Sequence, residues 1–172
     1  MDIRGDFGLN IMNSVSMDAL RQLELKSATL SFEMTLPQIR DVSKAVPCEI
    51  LIYGRLPLMI TENCLVQNQC NCRLDRSGPL IPKNAPCREA NTLVDRTGAA
   101  FPLLPAYGHR TEIQNSKTMW LADRPDWKRL GLTSARLRFT TETPEECVRI
   151  FRAYLTGTAA PGEFTRGLFE RG

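Results

Sequence analysis

One histidine, His109, serves the whole 172-residue sequence, and neither a His-Glu-x-x-His helix nor a paired Cys-x-x-Cys occurs anywhere in it. The single imidazole leaves a serine–histidine–aspartate triad only one candidate base. The two missing motifs exclude the usual zinc-protease helix and the zinc ribbon. No run of eighteen apolar residues is present, so no transmembrane helix and no membrane partner are expected. Met1-Asp2-Ile3-Arg4-Gly5-Asp6 lacks the basic start and apolar stretch of a signal peptide, which makes the expected location cytoplasmic and the thiols reduced. Charge of one sign is also scarce. Twenty-two basic residues against 19 acidic give +3, too little to mark a nucleic-acid binder. Scattered arginines such as Arg136, Arg138, Arg149 and Arg152 are all that would support that role.

What the sequence does have is sulfur in one place. Cys64, Cys70, Cys72 and Cys87 share a stretch with His109. Soft ligands from separate loop segments, in a reducing compartment, point to zinc or an iron–sulfur cluster rather than to disulfides. Cys70 and Cys72 lie one residue apart, so an extended segment would aim both the same way, whereas a tight turn would let only one reach an ion. Cys72 is the preferred ligand and Cys70 the alternate. His109, between Gly108 and Arg110, is the candidate fourth ligand. Free cysteine also packs as a small hydrophobe, but Gln67-Asn68-Gln69 and Asn71 are poor neighbours for a core. Cys48, opening an apolar run, and Cys147, on an apolar helical stripe, read as packing residues.

The first third alternates strand-like and helical segments. Phe7 to Met12 is a short apolar run; Ser16 offers a helix cap, with Met17, Leu20 and Leu23 following at helical spacing. Ala28 to Phe32 reads as a strand. Thr35 and Gln38 form a capping box before the stripe Ile39, Val42 and Val46. Glu49 to Tyr53 has the nearly continuous apolar character of a parallel strand covered on both faces. From Gly54 the rhythm breaks, with a turn expected at Asp75 to Pro79 and a hairpin at Leu93 to Leu103 around Asp95-Arg96-Thr97-Gly98. A short helix is expected from Pro125 to Leu130, ending at Gly131, and a strand from Ala135 to Phe139. Thr143-Pro144-Glu145-Glu146 starts a helix whose core stripe is Cys147, Ile150, Phe151 and Tyr154. Gly157 to Gly172 reads as a loose tail.

These patterns predict an α/β fold with right-handed crossovers and a parallel sheet. The expected organisation is βα units in 1–53, a Cys-rich metal- or Fe–S-binding insertion containing a β-hairpin in 54–121, final βα units in 122–156 and a tail in 157–172. A closed eight-stranded βα barrel takes about 250 residues, and without the insertion roughly half that remains. A partial (half) TIM-type βα barrel is therefore preferred over a small open sheet. Residues just past the carboxyl ends of barrel strands line the active mouth, which nominates Asn13, Glu33, Arg55 and Thr140 for one cleft. Glu62 is a further carboxylate after a strand-like stretch.

Gly5-Asp6-Phe7-Gly8-Leu9-Asn10, Leu30-Ser31-Phe32-Glu33, Tyr53-Gly54-Arg55-Leu56-Pro57-Leu58-Met59, Thr61-Glu62-Asn63-Cys64, Leu93-Val94-Asp95-Arg96, Arg110 to Ser116 and Phe164-Thr165-Arg166-Gly167 occur in this order. Together they resemble the C-terminal half of the collagenase-like peptidase family U-32. The resemblance implies a barrel-type fold, a peptidase of unassigned catalytic type, and peptide as substrate; the barrel-mouth rule leaves Glu33, Arg55 and Asn13 as the catalytic candidates. Some relatives instead support hydroxylation of RNA bases or of a quinone precursor with a four-cysteine (4Fe–4S) site. Cys64 and Cys87 match cluster positions of the family, whereas Cys70 and Cys72 fall where relatives vary. His109 stands where many relatives have cysteine, and Pro57 where some do, which shifts the expected cofactor toward a Cys₃His zinc site. The expected partner is an N-terminal half barrel or a second copy of the chain. A zinc-stapled, non-catalytic module that binds such a partner is the alternative to an enzyme.

Overall fold

The computed structural model describes residues 2–70, 72 and 80–170, so the turn expected at Asp75 to Pro79 lies outside the described residues. Among them the strands are β1 (Arg4–Gly5), β2 (Ser27–Thr29), β3 (Cys48–Gly54), β4 (Pro57–Thr61), β5 (Asn91–Val94), β6 (Ala100–Ala106), β7 (Arg110–Gln114), β8 (Thr118–Trp120), β9 (Ser134–Leu137) and β10 (Phe164–Thr165). The α-helices are α1 (Ser14–Gln22), α2 (Leu36–Asp41), α3 (Leu65–Cys70) and α4 (Pro144–Thr156). The protein is a mixed α/β structure in two compact units, one made of Met1–Gly54 with Thr118–Gly172 and the other of Arg55–Lys117. Among the described residues no helix is long and apolar enough to cross a membrane.

In the first unit β1, β2, β3 and β9 run parallel and neighbour one another in chain order, with Gly5 opposite Ala28, Ala28 opposite Cys48 and Ile50 opposite Ala135. β8 pairs antiparallel with β3, Tyr53 facing Trp120, and β10 runs parallel to β8. The strand order is open and does not close into a barrel among the described residues. Ala28, Leu30, Cys48, Ile50 and Ile52 belong to one large core with Met17, Ile39, Ile150 and Tyr154 from the helices. Alternate residues of parallel strands sharing a face against helices is the arrangement that buries such runs best.

Local chemistry explains the helix ends. α1 begins at Ser14, two residues before the expected cap: Asn13 is extended, and its Oδ1 accepts from the Ser16 amide at 2.9 Å. Ser16 is thus the residue being capped, not the cap. Gln38 Oε1 accepts from the Thr35 amide at 2.8 Å, completing that side of the expected box. In α4 both halves form, Glu146 Oε2 accepting from the Thr143 amide at 2.9 Å and Thr143 Oγ1 from the Glu146 amide at 3.3 Å. The stripe differs from the expectation. Ile150 and Tyr154 are buried, but Phe151 is 54% exposed, because Ala153 rather than Phe151 shares the inward face. The Tyr154 hydroxyl accepts from the Leu121 amide at 2.9 Å and donates to the Ile52 carbonyl, and burial pushes its phenol well above the ordinary range.

Two segments depart from their sequence patterns. The apolar run after Asp6 is a 3₁₀ turn (Phe7–Leu9), and only Ile11 rejoins the sheet, bridging Leu30. The expected helix after Arg124 is likewise a 3₁₀ turn, Pro125–Arg129. The tail is tied down rather than loose. β10 adds to the sheet, Phe169 is buried in the core, and Arg166 clasps Asp123 through two bonds of 2.6 and 2.8 Å. Nothing in the periodicity of that stretch signalled this, because the contacts are long-range.

The second unit is an antiparallel sheet in the order β4-β7-β6-β5. Its hairpin forms as expected: Asp95 Oδ1 accepts from the Thr97 amide at 2.8 Å and the Ala99 amide at 3.0 Å, and Gly98 supplies a φ of +85°. β4 was masked in the sequence by Pro57, tolerated here because it opens an edge strand. At the base of the unit Arg55 Nη1 donates to the Asn115 carbonyl at 2.9 Å and to the Ser116 carbonyl, while the Asn115 amide donates to Leu56 O at 2.8 Å. Among the described residues one buried cluster of this unit is Val66, Leu103 and Ile113, with Cys64, Leu65, Cys87 and Phe101 packed against them.

Candidate functional site

The cysteines are placed by short elements of the second unit. Cys64 immediately precedes α3, whose first amide, that of Leu65, donates to Thr111 Oγ1 of β7 at 3.1 Å. Cys87 sits in the 3₁₀ turn Pro86–Arg88, closed by the Arg88 amide on Ala85 O at 2.9 Å. Arg88 steadies that turn by donating to Pro82 O at 2.8 Å and Ile81 O at 2.7 Å. Cys64 and Cys87 thereby pack against one apolar cluster. The Cys87 thiol is pushed up, first by burial, then by Cys64, and to a lesser degree by Cys72. Cys64 and Cys72, from two other segments, therefore lie near enough to influence Cys87.

Cys70 behaves differently. It is exposed at the end of α3, and its Sγ donates to Val66 O at 2.9 Å within its own helix. His109 is buried, 7% exposed, and holds a left-handed backbone with φ of 60° just before β7. For a non-glycine residue that conformation costs about 1–3 kcal/mol and persists only where the surroundings impose it. Among the described residues, no three His, Cys, Asp or Glu side chains are gathered closely enough to hold a metal ion. The donors nevertheless fit a soft metal in kind: Cys64 and Cys87 are thiols packed against an apolar cluster, groups that a bound cation would convert to thiolates. Cys48, 1% exposed with its thiol raised by burial, belongs to the first unit's core. Cys147 is half-buried on α4.

The nominated catalytic residues divide between the units. Asn13, Glu33 and Thr140 lie in the first and Arg55 in the second. The Asn13 carboxamide is occupied in capping α1, and the Arg55 guanidinium ties the two chain segments at the base of its unit. Glu33 is exposed beyond β2; its amide donates to Ser31 Oγ at 3.3 Å, and that hydroxyl donates to Asn10 Oδ1 at 2.7 Å. Glu62 is largely exposed, 3.6 Å from Arg110.

Two polar groupings were not anticipated. Glu49 Oε1 accepts from Thr29 Oγ1 at 2.7 Å and its Oε2 from Ser134 Oγ at 3.2 Å, while Arg136 bonds both Glu49 and Asp6. This ties the loop after β1 to β2, β3 and β9 and engages one of the scattered arginines. A lone glutamate inside an apolar strand was the available signal. At the carboxyl end of β3, the Tyr53 hydroxyl donates to Glu142 Oε1 at 2.8 Å, and the Thr140 and Thr141 amides donate to Glu142 Oε2 at 2.7 and 3.0 Å. Glu142 was overlooked because it stands just outside the capping box.

A parallel βα series interrupted by a separate antiparallel unit that carries four of the six cysteines defines the class of protein. The chain belongs to Peptidase family U32, whose family model matches residues 2–157. No curated protein matches the chain, and no solved structure does.

Proposed function

We propose that this U32 family chain carries a soft-metal centre in its Arg55–Lys117 unit and acts on peptide. Cys64, Cys72 and Cys87 would hold the centre, completed by His109 for zinc or by Cys70 for a four-iron cluster. The observation that carries the proposal is the packing of Cys64 and Cys87, from separate segments, against one apolar cluster, with Cys64 and Cys72 both raising the Cys87 thiol. When bound, zinc would supply a Lewis acid or a structural clamp, and a cluster would supply electron transfer. The parallel run β1-β2-β3-β9 supports half of a TIM-type βα barrel, completed by an N-terminal half barrel or a second copy.

Anaerobic purification followed by metal and sulfide analysis tests the centre. Brown protein with iron and sulfide supports the cluster; colourless protein with stoichiometric zinc supports Cys₃His ligation. A Cys64→Ser protein with unchanged metal content would sink both. Peptide turnover is tested by mass spectrometry of an unbiased peptide mixture, and no cleavage by metal-loaded protein counts against the peptidase reading. Hydroxylation of RNA or of a quinone precursor is the second reading. It is favoured by the burial of the sole histidine in the cysteine-bearing unit, which leaves no imidazole in the parallel unit for hydrolytic base chemistry.

A further inference from the structure

β4 ends one side of the antiparallel sheet, and an edge strand turns alternate N–H and C=O groups outward without partners. Natural edges are usually guarded by charge, proline or a bulge. Here the guard stands at one end, where Pro57 opens the strand and the register slips before Met59. No residue of β4 is charged, and Leu58, Met59 and Ile60 are each more than half exposed. Successive side chains of a strand point to opposite faces, so both faces of this edge are apolar. Met59 stands opposite Ile113, and Ile113 opposite Leu103, which puts the three on one face. Ile113 and Leu103 are buried in the unit's cluster, whereas Met59 ends their row in solvent.

We propose that β4 pairs antiparallel with β4 of a second copy of the chain, about a two-fold axis at Met59, joining two four-stranded sheets into one. A two-fold contact must be self-complementary, and this strand is. The axis sets Leu58 of one copy opposite Ile60 of the other and Met59 opposite its equivalent. The row Leu103, Ile113, Met59 then continues into the same row of the second copy, which covers the exposed methionine. Charge favours the antiparallel direction. Arg55 precedes β4 and Glu62 follows it, so the acidic end of one copy meets the basic end of the other. Parallel pairing would bring like ends together. The contact lies wholly in the second unit, apart from the parallel strands that barrel completion would use.

The test is sedimentation velocity of the as-purified full chain over a concentration series. A single strand seam falls below the roughly 800 Å² per partner of a standard interface, so a reversible dimer with a dissociation constant of about 10–100 µM is expected. Leu58→Lys combined with Ile60→Lys sets lysine opposite lysine and should weaken the dimer at least about tenfold. Leu58→Glu combined with Ile60→Lys sets glutamate opposite lysine and should bind within about threefold of the native chain. Both variants alter the same two exposed positions, so their difference reads pairing rather than folding. Leu93→Lys, on the opposite edge strand β5, should leave the dimer unchanged. The proposal is overturned if the native chain stays monomeric at about 500 µM, or if it grows past the dimer as edge-to-edge stacking of β4 on β5 would. It is also overturned if the two double variants dimerise equally, or if Leu93→Lys abolishes the dimer.

Discussion

The two units of the chain solve the same problem with unequal means. The first buries residues from three helices and the parallel strands in one large cluster, with Met17, Ala28, Leu30 and Leu121 wholly inaccessible. Among the described residues the second clusters Val66, Leu103 and Ile113, also buries Leu56 and Ala85, and leaves Leu58, Met59 and Ile60 of β4 more than half exposed. Small domains rarely gain more than about 3–5 kcal/mol from one core and commonly add a metal or a disulfide. All six cysteines are free thiols, and four of them lie in the second unit. In this chain sulfur accumulates in the unit whose described apolar cluster is the smaller.

The largest test of that contrast is metal removal. If the proposed centre staples the second unit, chelation should abolish hydrogen-exchange protection in β5, β6 and β7 while β2 and β3 keep theirs. Equal protection before and after would dissolve the distinction. Next comes the other side: Leu30→Ala in the first core should cost about 3 kcal/mol in urea unfolding, since an inaccessible leucine leaves a cavity. Metal content should not change.

Smaller effects separate the tail from the core it joins. Asp123→Asn weakens the clasp on Arg166 and should cost about 2 kcal/mol at neutral pH, the scale of a charge-assisted bond. The hydrogen bonds from Arg166 hold the Asp123 carboxyl below the ordinary carboxylate range. Its contribution is therefore present above that range and is lost as pH falls through the lowered value. The gap between native and Asp123→Asn unfolding midpoints should close on acidification below about pH 4. Least of all, Thr143→Ala removes the α4 cap and should cost about 1 kcal/mol by thermal unfolding.

Local chemistry made part of this architecture legible. Gln38 and Glu146 announced their helix starts, Asp95 and Gly98 their turn, and the apolar run before Gly54 its parallel strand, because each signal acts within a few residues. The tail could not be read, since Arg166 and Phe169 find partners distant in sequence. Ser16 reads as a cap from its residue type, but Asn13, three residues earlier, takes that role and binds the Ser16 amide. At the candidate site, spacing picked out Cys64 and Cys87 but could not reveal that α3 and the Pro86 turn set them against one cluster. Nor could it show Cys70 turned back on its own helix.

Gly54 faces Met119 in the ladder between β3 and β8, so the polypeptide departs for the whole cysteine-bearing excursion and returns at a single address. A side chain at Gly54 would collide with the Arg138 carbonyl, a Cβ there lying 2.4 Å from it, so the departure point tolerates glycine alone. Such a doorway invites wholesale exchange: the stretch Arg55–Lys117 should be replaceable by a tight reverse turn, joining β3 to β8 as a plain hairpin and leaving Thr118 opposite Phe164 of β10.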